Sequence, residues 1–247
     1  MKHIFAVSLV LIIVLCAGGS FAGQPLGGPA EAEPCKFAFS VGYFYHQDKW
    51  TSNTLNDNFD PKIQTNQYFG QLSYGVAPGW DVYLRAGVLD AETKGSDFTF
   101  KDTGRFFGGI GVHGKLWERK DWNFALGPIA NFTYFSDWKD SATSSQGSIE
   151  LKVKDHYSFD IGFGFQYTPA PWITIYGGPF FHYEKAKLDT SGTFQGAFYS
   201  DDSNIETDKN FGPRLGFRIP ITKSVSLQFE GQYTSYASGG GWITFGF

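Results

Sequence analysis

The sequence predicts an all-β fold, a transmembrane antiparallel β-barrel of about ten strands, with eight strands as the alternative. Three observations predict it: apolar and polar residues alternate, aromatic residues and glycine are abundant, and short connections interleave with long ones. Phe, Tyr and Trp make up 19% of the 247 residues, beside 31 Gly. Ordinary globular proteins are richer in Leu and Ala, whereas aromatic side chains suit pleated strands.

Alternation with a period of two is found in ten segments of the chain. Such a period places successive side chains on opposite faces of a strand. In residues 211–219, for example, Leu215 and Phe217 fall on one face, and Arg214 and Arg218 fall on the other. The ten predicted strands are residues 36–50, 64–76, 80–93, 103–117, 121–136, 156–167, 172–187, 211–219, 224–234 and 240–247.

The connections between these segments alternate in length. The short ones are residues 76–80, 117–121, 168–172 and 220–224, and the long polar ones are residues 51–63, 94–102, 137–153 and 188–208. In bacterial barrels short turns lie in the periplasm and long loops lie outside the cell. Tryptophans beside the connections predict aromatic girdles at the membrane interfaces. The inner girdle comprises Trp80, Trp117, Trp122 and Trp172, and the outer girdle comprises Trp50 and Trp138.

The N-terminal residues predict export from the cytoplasm. Residues 1–22 carry Lys2 and His3 before an apolar run and end in small residues, which is typical of a secretory signal peptide. Residues 23–35 are rich in Gly, Pro and Ala without apolar periodicity, so we predict a flexible periplasmic leader. Residues 36–247 are then the barrel.

The polar faces of the predicted strands point into the lumen. A barrel of about ten strands has a narrow interior, and buried charges need partners. We therefore expect ion pairs that fill the lumen, or a narrow pore that favours anions if the arginines stay unpaired. The predicted lumen charges are Arg85, Arg105, Lys115, Asp160, Glu184, Arg214, Arg218 and Glu230. The predicted inward aromatics are Phe44, Phe69, Tyr83, Phe107, Tyr176 and Phe180.

The signal peptide, the alternating strands, the asymmetric connections and the final segment WITFGF together resemble the bacterial outer-membrane β-barrel superfamily, in particular its small single-domain members. The resemblance covers residues 36–247. It implies an outer-membrane location, contact with outer-membrane lipid and lipopolysaccharide, and a monomer as the favoured state. In this superfamily a terminal aromatic after alternating apolar residues is a signal to the barrel-assembly machinery, so the resemblance implies that role for Ile243, Phe245 and Phe247.

The sequence favours a structural or surface-interaction role, with a narrow solute pore as a further option and no catalytic activity. An adhesin or receptor that acts through the long loops is one alternative. The residues show no metal-ligand spacing, no basic patch for nucleic acid and no indication of a cofactor.

An enzyme is the other alternative. His156, Ser158 and Asp160 share one strand face, so the His–Ser pair is a candidate activated nucleophile. The pair is similar to that of outer-membrane lipid A deacylases, but its face points into the lumen, and the next residue is Phe159 where that family's motif has Asn. Omptin proteases are also ten-stranded barrels. His46 with Asp48, and His182 with Glu184, lie near strand ends but do not match the omptin pattern residue by residue.

Overall fold

The computed structural model describes residues 24–29, 32–52, 62–94, 99–144, 147–194, 197–207 and 210–247. The predicted signal peptide and most of the predicted loop 51–63 lie outside these residues. The strands are β1 (Phe37–Ser52), β2 (Lys62–Ala77), β3 (Trp80–Lys94), β4 (Thr99–Gly114), β5 (Trp117–Arg119), β6 (Phe124–Phe135), β7 (Trp138–Ser144), β8 (Gly147–Ala170), β9 (Ile173–Phe194), β10 (Ala197–Thr207), β11 (Phe211–Pro220), β12 (Val225–Tyr233) and β13 (Ala237–Gly246). A short 3₁₀ helix covers Lys120–Trp122. Among the described residues, no helix has the length and apolarity to cross a membrane.

Ten of the strands close into an antiparallel barrel in the order β1, β2, β3, β4, β6, β8, β9, β11, β12, β13. Closure is made by β13 against β1, with Ala38 opposite Gly246 and Tyr45 opposite Gly239. The prediction of about ten strands is confirmed. The three additional strands extend this wall: β5 pairs with β6, β7 pairs with β8, and β10 bridges β9 and β1.

The barrel carries its apolar side chains on the outside. Phe106 is 70% exposed and Leu215 is 58% exposed, whereas polar residues such as Gln71 and Thr133 are buried inside. A water-soluble barrel has the opposite arrangement, because its apolar residues form the core. The outward apolar band is therefore suited to hydrocarbon, as in transmembrane barrels.

One end of the barrel carries the short connections. A two-residue turn at Pro78 and Gly79 joins β2 to β3, and Gly79 adopts a φ of 76°, which glycine tolerates without steric cost. Three tryptophans near these turns are exposed, namely Trp117, Trp122 and Trp172. Trp80, at the start of β3, is partly buried.

At the other end, two predicted loops are strands. Residues 137–153 and 188–208 were expected to be long polar loops, but β7 and the start of β8 form one hairpin, and the end of β9 with β10 forms another. We call these paired segments, β7, β10 and the adjoining parts of β8 and β9, the sheet extension. The outward residues of the extension are polar, as the residues of a loop are, because this part of the sheet faces water on its outer side.

The extension has the inverse polarity of the barrel below it. A register shift between Lys154 and Tyr157, with Asp155 at a φ of 49°, inserts a bulge in β8. The shift brings both Val153 and His156 to the inner side. Above the bulge, the inner side is apolar, and it forms a buried cluster of Trp138, Leu151, Val153, Ala186, Leu188 and Ile205.

This inversion corrects the prediction for one tryptophan. Trp138 was expected in the outer girdle, but only 7% of it is exposed, because it belongs to the apolar core of the extension. In the barrel, the alternation of side chains directs aromatic residues toward lipid. Above the bulge, the same alternation directs Trp138 inward. The backbone of Trp50 lies in β1 opposite Thr207, and its side chain is outside the described part of the structure.

Candidate functional site in the barrel lumen

The inward side chains of the barrel strands bring most of the predicted lumen charges together. Six of them are buried, namely Arg85, Arg105, Asp160, Glu184, Arg214 and Glu230. Arg218 is partly buried in β11. Lys115 lies in the connection between β4 and β5, where its Nζ is 3.9 Å from the Glu118 carboxylate. The predicted inward aromatics are all buried: Phe44, Phe69, Tyr83, Phe107, Tyr176 and Phe180.

The largest difference from the sequence prediction concerns the leader. Residues 24–29 were expected to be flexible in the periplasm, but they lie inside the barrel. The backbone N–H groups of Leu26 and Gly27 donate to the two carboxylate oxygens of Glu230, each at 2.8 Å. Leu26 is fully buried. A segment without regular secondary structure can be buried here because lumen side chains satisfy its backbone groups.

Two lumen arginines bind carbonyl groups of the same segment. Arg85 Nη2 donates to the Pro25 oxygen at 2.7 Å, and Arg214 Nη1 donates to the Gly27 oxygen. Arg214 also lies 3.4 Å from Glu230. The segment thus joins the buried arginines and the buried carboxylate into one network. The carbonyl groups of residues 24–29 thus supply part of the hydrogen bonding of these two buried arginines.

His113 connects the segment to Asp81 at the short-turn end. His113 Nε2 donates to the Leu26 carbonyl oxygen at 2.6 Å, and its Nδ1 is 2.9 Å from Asp81. The other Asp81 oxygen accepts the N–H of Ala32 at 2.8 Å, so Asp81 and His113 together contact the chain at both Leu26 and Ala32. The apolar contacts of the segment form one buried cluster of Leu26, Ile129 and Phe180.

A layer of aromatic side chains lies farther from the short turns. It forms a second buried cluster, consisting of Phe44, Phe69, Leu89, Ala91, Phe107, Phe135 and Trp242. The ring centroids of Phe69 and Trp242 are 6.3 Å apart, and those of Phe107 and Phe135 are 5.9 Å apart. Such edge-to-face and tilted contacts fill the space inside β1 to β4, β6 and β13 with apolar side chains.

Three histidines surround one carboxylate in the lumen, that of Glu184 in β9, and the ring of His156 stacks on Phe135 of the aromatic layer. His46 Nε2 and His182 Nε2 each lie 3.4 Å from Glu184 Oε2, and His156 Nε2 bonds to Glu184 Oε1. His182 Nδ1 lies 2.6 Å from Asp160. All five residues are buried. We call them the histidine cluster. The apolar core of the extension lies next to the histidine cluster, on the side of the cluster that faces away from the short turns.

The structure does not assemble the candidate catalytic set His156, Ser158 and Asp160. Asp160 binds His182 and not His156, while His156 is held by Glu184. The Ser158 hydroxyl is buried and has no hydrogen-bond partner among the described residues. An activated nucleophile needs a base within hydrogen-bond reach, so this geometry does not activate Ser158.

The sequence reasoning missed the lumenal position of residues 24–29 and the His113–Asp81 pair. The only signal for the first was Leu26, a large apolar residue in a segment of Gly and Pro. His113 and Asp81 lie on the lumen face at the ends of β4 and β3, directly opposite one another in the register. Their pairing could have been found only after the two strands had been aligned.

Of the three residues predicted to signal barrel assembly, Ile243 and Phe245 lie in β13, and Phe247 directly follows it. Ile243 and Phe245 are on the outer face, because Trp242 and Thr244, which alternate with them along β13, are buried. Phe247 exchanges two backbone hydrogen bonds with Phe37, at 2.9 and 3.1 Å. These contacts extend the seam that closes the barrel.

Comparisons with known proteins identify the fold. No protein-family model matches the chain, and no curated protein matches its sequence. The translocator domain of the autotransporter NalP from Neisseria meningitidis is similar over 88% of this chain and 90% of that one, with a TM-score of 0.51 and 10% identity. The outer membrane protease OmpT from Escherichia coli is similar over 88% of this chain and 96% of that one, with the same TM-score and identity. The chain therefore has the fold of bacterial outer-membrane β-barrels.

Proposed function

We propose that this protein is a closed, non-conducting outer-membrane barrel that acts at the cell surface through its sheet extension. One observation carries the proposal: buried side chains and residues 24–29 fill the lumen from the short turns to the extension. The interior polar residues thus serve to hold this filling in place, and contact with lipid and lipopolysaccharide falls to the outward aromatics.

The filling has three levels, each built from different residues. Residues 24–29 occupy the level near the short turns, where Glu230 and Arg214 bind them. The aromatic cluster and the histidine cluster share the next level. The apolar core of the extension lies above both. Solute passage requires a continuous wet path, and each of the three levels interrupts such a path.

The extension offers a rigid surface for recognition. Its outer side carries cross-strand ion pairs, with Lys139 2.7 Å from Glu150 and Lys187 2.7 Å from Asp155. Its inner side is the apolar core, so the extension is a folded unit and not a set of free loops. Binding residues are often presented on segments that a rigid scaffold positions, which supports a surface-interaction role.

Planar-bilayer recording tests the closed lumen. The barrel extracted from membranes is inserted into a bilayer, and insertion is verified by protease protection and heat modifiability of the same sample. We expect no steady current steps. Stable steps of uniform conductance from the wild-type barrel would contradict the proposal.

Attachment assays test the surface role. Cells that produce the wild-type barrel are compared with cells in which residues 140–151 are replaced by a short turn. We expect the variant barrel to stay folded and silent in bilayers while attachment to neighbouring cells or surfaces falls. Equal attachment at equal surface level would remove the support for the extension as the working surface.

A further inference from the structure

We propose that His46, His182 and Glu184 form a binding site for a divalent transition-metal ion of the zinc type in the barrel lumen. This inference is independent of the proposed surface role. No metal-ligand spacing is visible in the sequence, because the ligands come from β1 and β9, which are far apart in the chain. Barrel closure brings them together.

The distances between the ligand atoms fit such an ion. Two ligand atoms that each lie about 2.0–2.1 Å from a tetrahedral zinc ion are about 3.3–3.4 Å apart. His46 Nε2 and His182 Nε2 each lie 3.4 Å from Glu184 Oε2. All three ligand atoms are within 4.8 Å of one another. The observed spacing therefore requires only small side-chain movements to accommodate an ion.

The outer partners orient both histidines for metal binding. A histidine that binds metal through Nε2 carries its proton on Nδ1 and donates it to a neighbouring acceptor. His182 Nδ1 lies 2.6 Å from Asp160, and His46 Nδ1 lies 3.3 Å from the Ser238 hydroxyl. Both Nδ1 atoms thus face an acceptor, so with an ion bound each histidine would keep its proton on Nδ1, and its Nε2, which lies beside Glu184 Oε2, would be the atom that binds the ion.

His156 and Asn131 complete the surroundings as positioning residues. His156 Nε2 bonds to Glu184 Oε1, the oxygen that is not shared with the other two histidines. Asn131 Nδ2 donates to Asp160 Oδ2 at 3.1 Å, while the other oxygen of Asp160 faces His182. These bonds fix the orientation of both carboxylates. Three protein ligands leave one position of a tetrahedral ion for water, or for His156 after a shift from Glu184.

Cobalt substitution tests the site. The full chain is expressed, the barrel is extracted from membranes, stripped with a chelator in denaturant, and refolded with Co²⁺ or Zn²⁺. We expect one Co²⁺ per barrel with a visible absorption band typical of tetrahedral coordination. We also expect Zn²⁺ to raise the temperature at which the folded barrel unfolds on gels, because a ligand that binds the folded state stabilises it.

Variants locate the bound ion. His182→Gln and Glu184→Gln should weaken Co²⁺ binding by roughly 100-fold or more, and Asp160→Asn by about 10- to 100-fold through loss of orientation. His113→Gln is the matched control, since it removes a buried lumen histidine outside the cluster and should leave Co²⁺ binding unchanged. Gel mobility checks that each variant is folded. Absence of binding by the folded wild type, or equal binding by all variants, would overturn the proposal.

Discussion

The carboxylate of Glu230 is the contact that we expect to matter most for the position of residues 24–29. It accepts the N–H groups of Leu26 and Gly27, both at 2.8 Å, from within a fully buried setting. Glu230→Gln keeps the size of the side chain, but the neutral amide has a single acceptor oxygen. At least one of the two backbone N–H groups then faces an NH₂ group and loses its bond.

The size of the effect follows from the strength of these bonds. A hydrogen bond to a charged group contributes about 1.5–3 kcal/mol, so the loss of one such bond shifts the equilibrium by roughly 10- to 100-fold. Ordering six backbone residues costs about 6–12 kcal/mol. The contacts to residues 24–29 must together exceed this cost, so the loss of one bond should raise the fraction of time for which the segment is released.

Amide hydrogen exchange of Leu26 and Gly27 measures that release. In the wild-type barrel both amides should be strongly protected, and Glu230→Gln should accelerate their exchange by about 10- to 100-fold. Glu184→Gln is the matched control, because it is the same exchange at a buried lumen carboxylate for which the structure shows no hydrogen bond to residues 24–29. Equal protection in wild type and Glu230→Gln would refute the reasoning.

Three further substitutions test other parts of the structure. Trp138→Ala should destabilise the extension by about 3–5 kcal/mol through loss of a buried ring, so limited proteolysis should cut the extension while the barrel persists. Gly127→Ala would place a Cβ atom in collision with the Gly114 carbonyl oxygen, and the forced backbone shift should lower the unfolding temperature on gels. The hydrogen bond with Lys187 is the largest cause of the lowered pKa of Asp155. This exposed pair therefore stabilises the fold at a pH above the ordinary carboxyl pKa. The stabilisation is lost as the pH falls through the lowered pKa of Asp155. Lys187→Ala should return the pKa of Asp155 toward its usual value in an NMR titration, and an unchanged pKa would contradict this pairing.

The barrel itself could be predicted from the sequence because its two faces differ in chemistry. Phe217 and Arg218 alternate as a membrane strand requires, and β12 beside them shows the same period. The prediction failed where this difference reverses. In the extension, Leu151 and Val153 point inward and the intervening Lys152 lies in a polar run, so composition alone suggested a loop.

The lumen could be predicted only in part. Inward residues such as Arg214 and Glu230 follow from the strand period, but their partners depend on which strands meet across the interior. Residues 24–29 have no period at all, so nothing local places them in the lumen. The histidine cluster was equally hidden, because the ligands on β1 and β9 approach one another only through the closed barrel.

Thiol labelling of Leu26→Cys tests the central claim, that residues 24–29 fill the lumen, most directly. The native Cys35 is exposed and free, so it serves as the reference in the same chain. In the folded barrel a membrane-impermeant maleimide should label Cys35 readily and leave the introduced thiol unmodified, and denaturant should make both react. If the thiol at position 26 in the folded barrel reacts as fast as Cys35, residues 24–29 lie outside the lumen and the closed-barrel account is wrong.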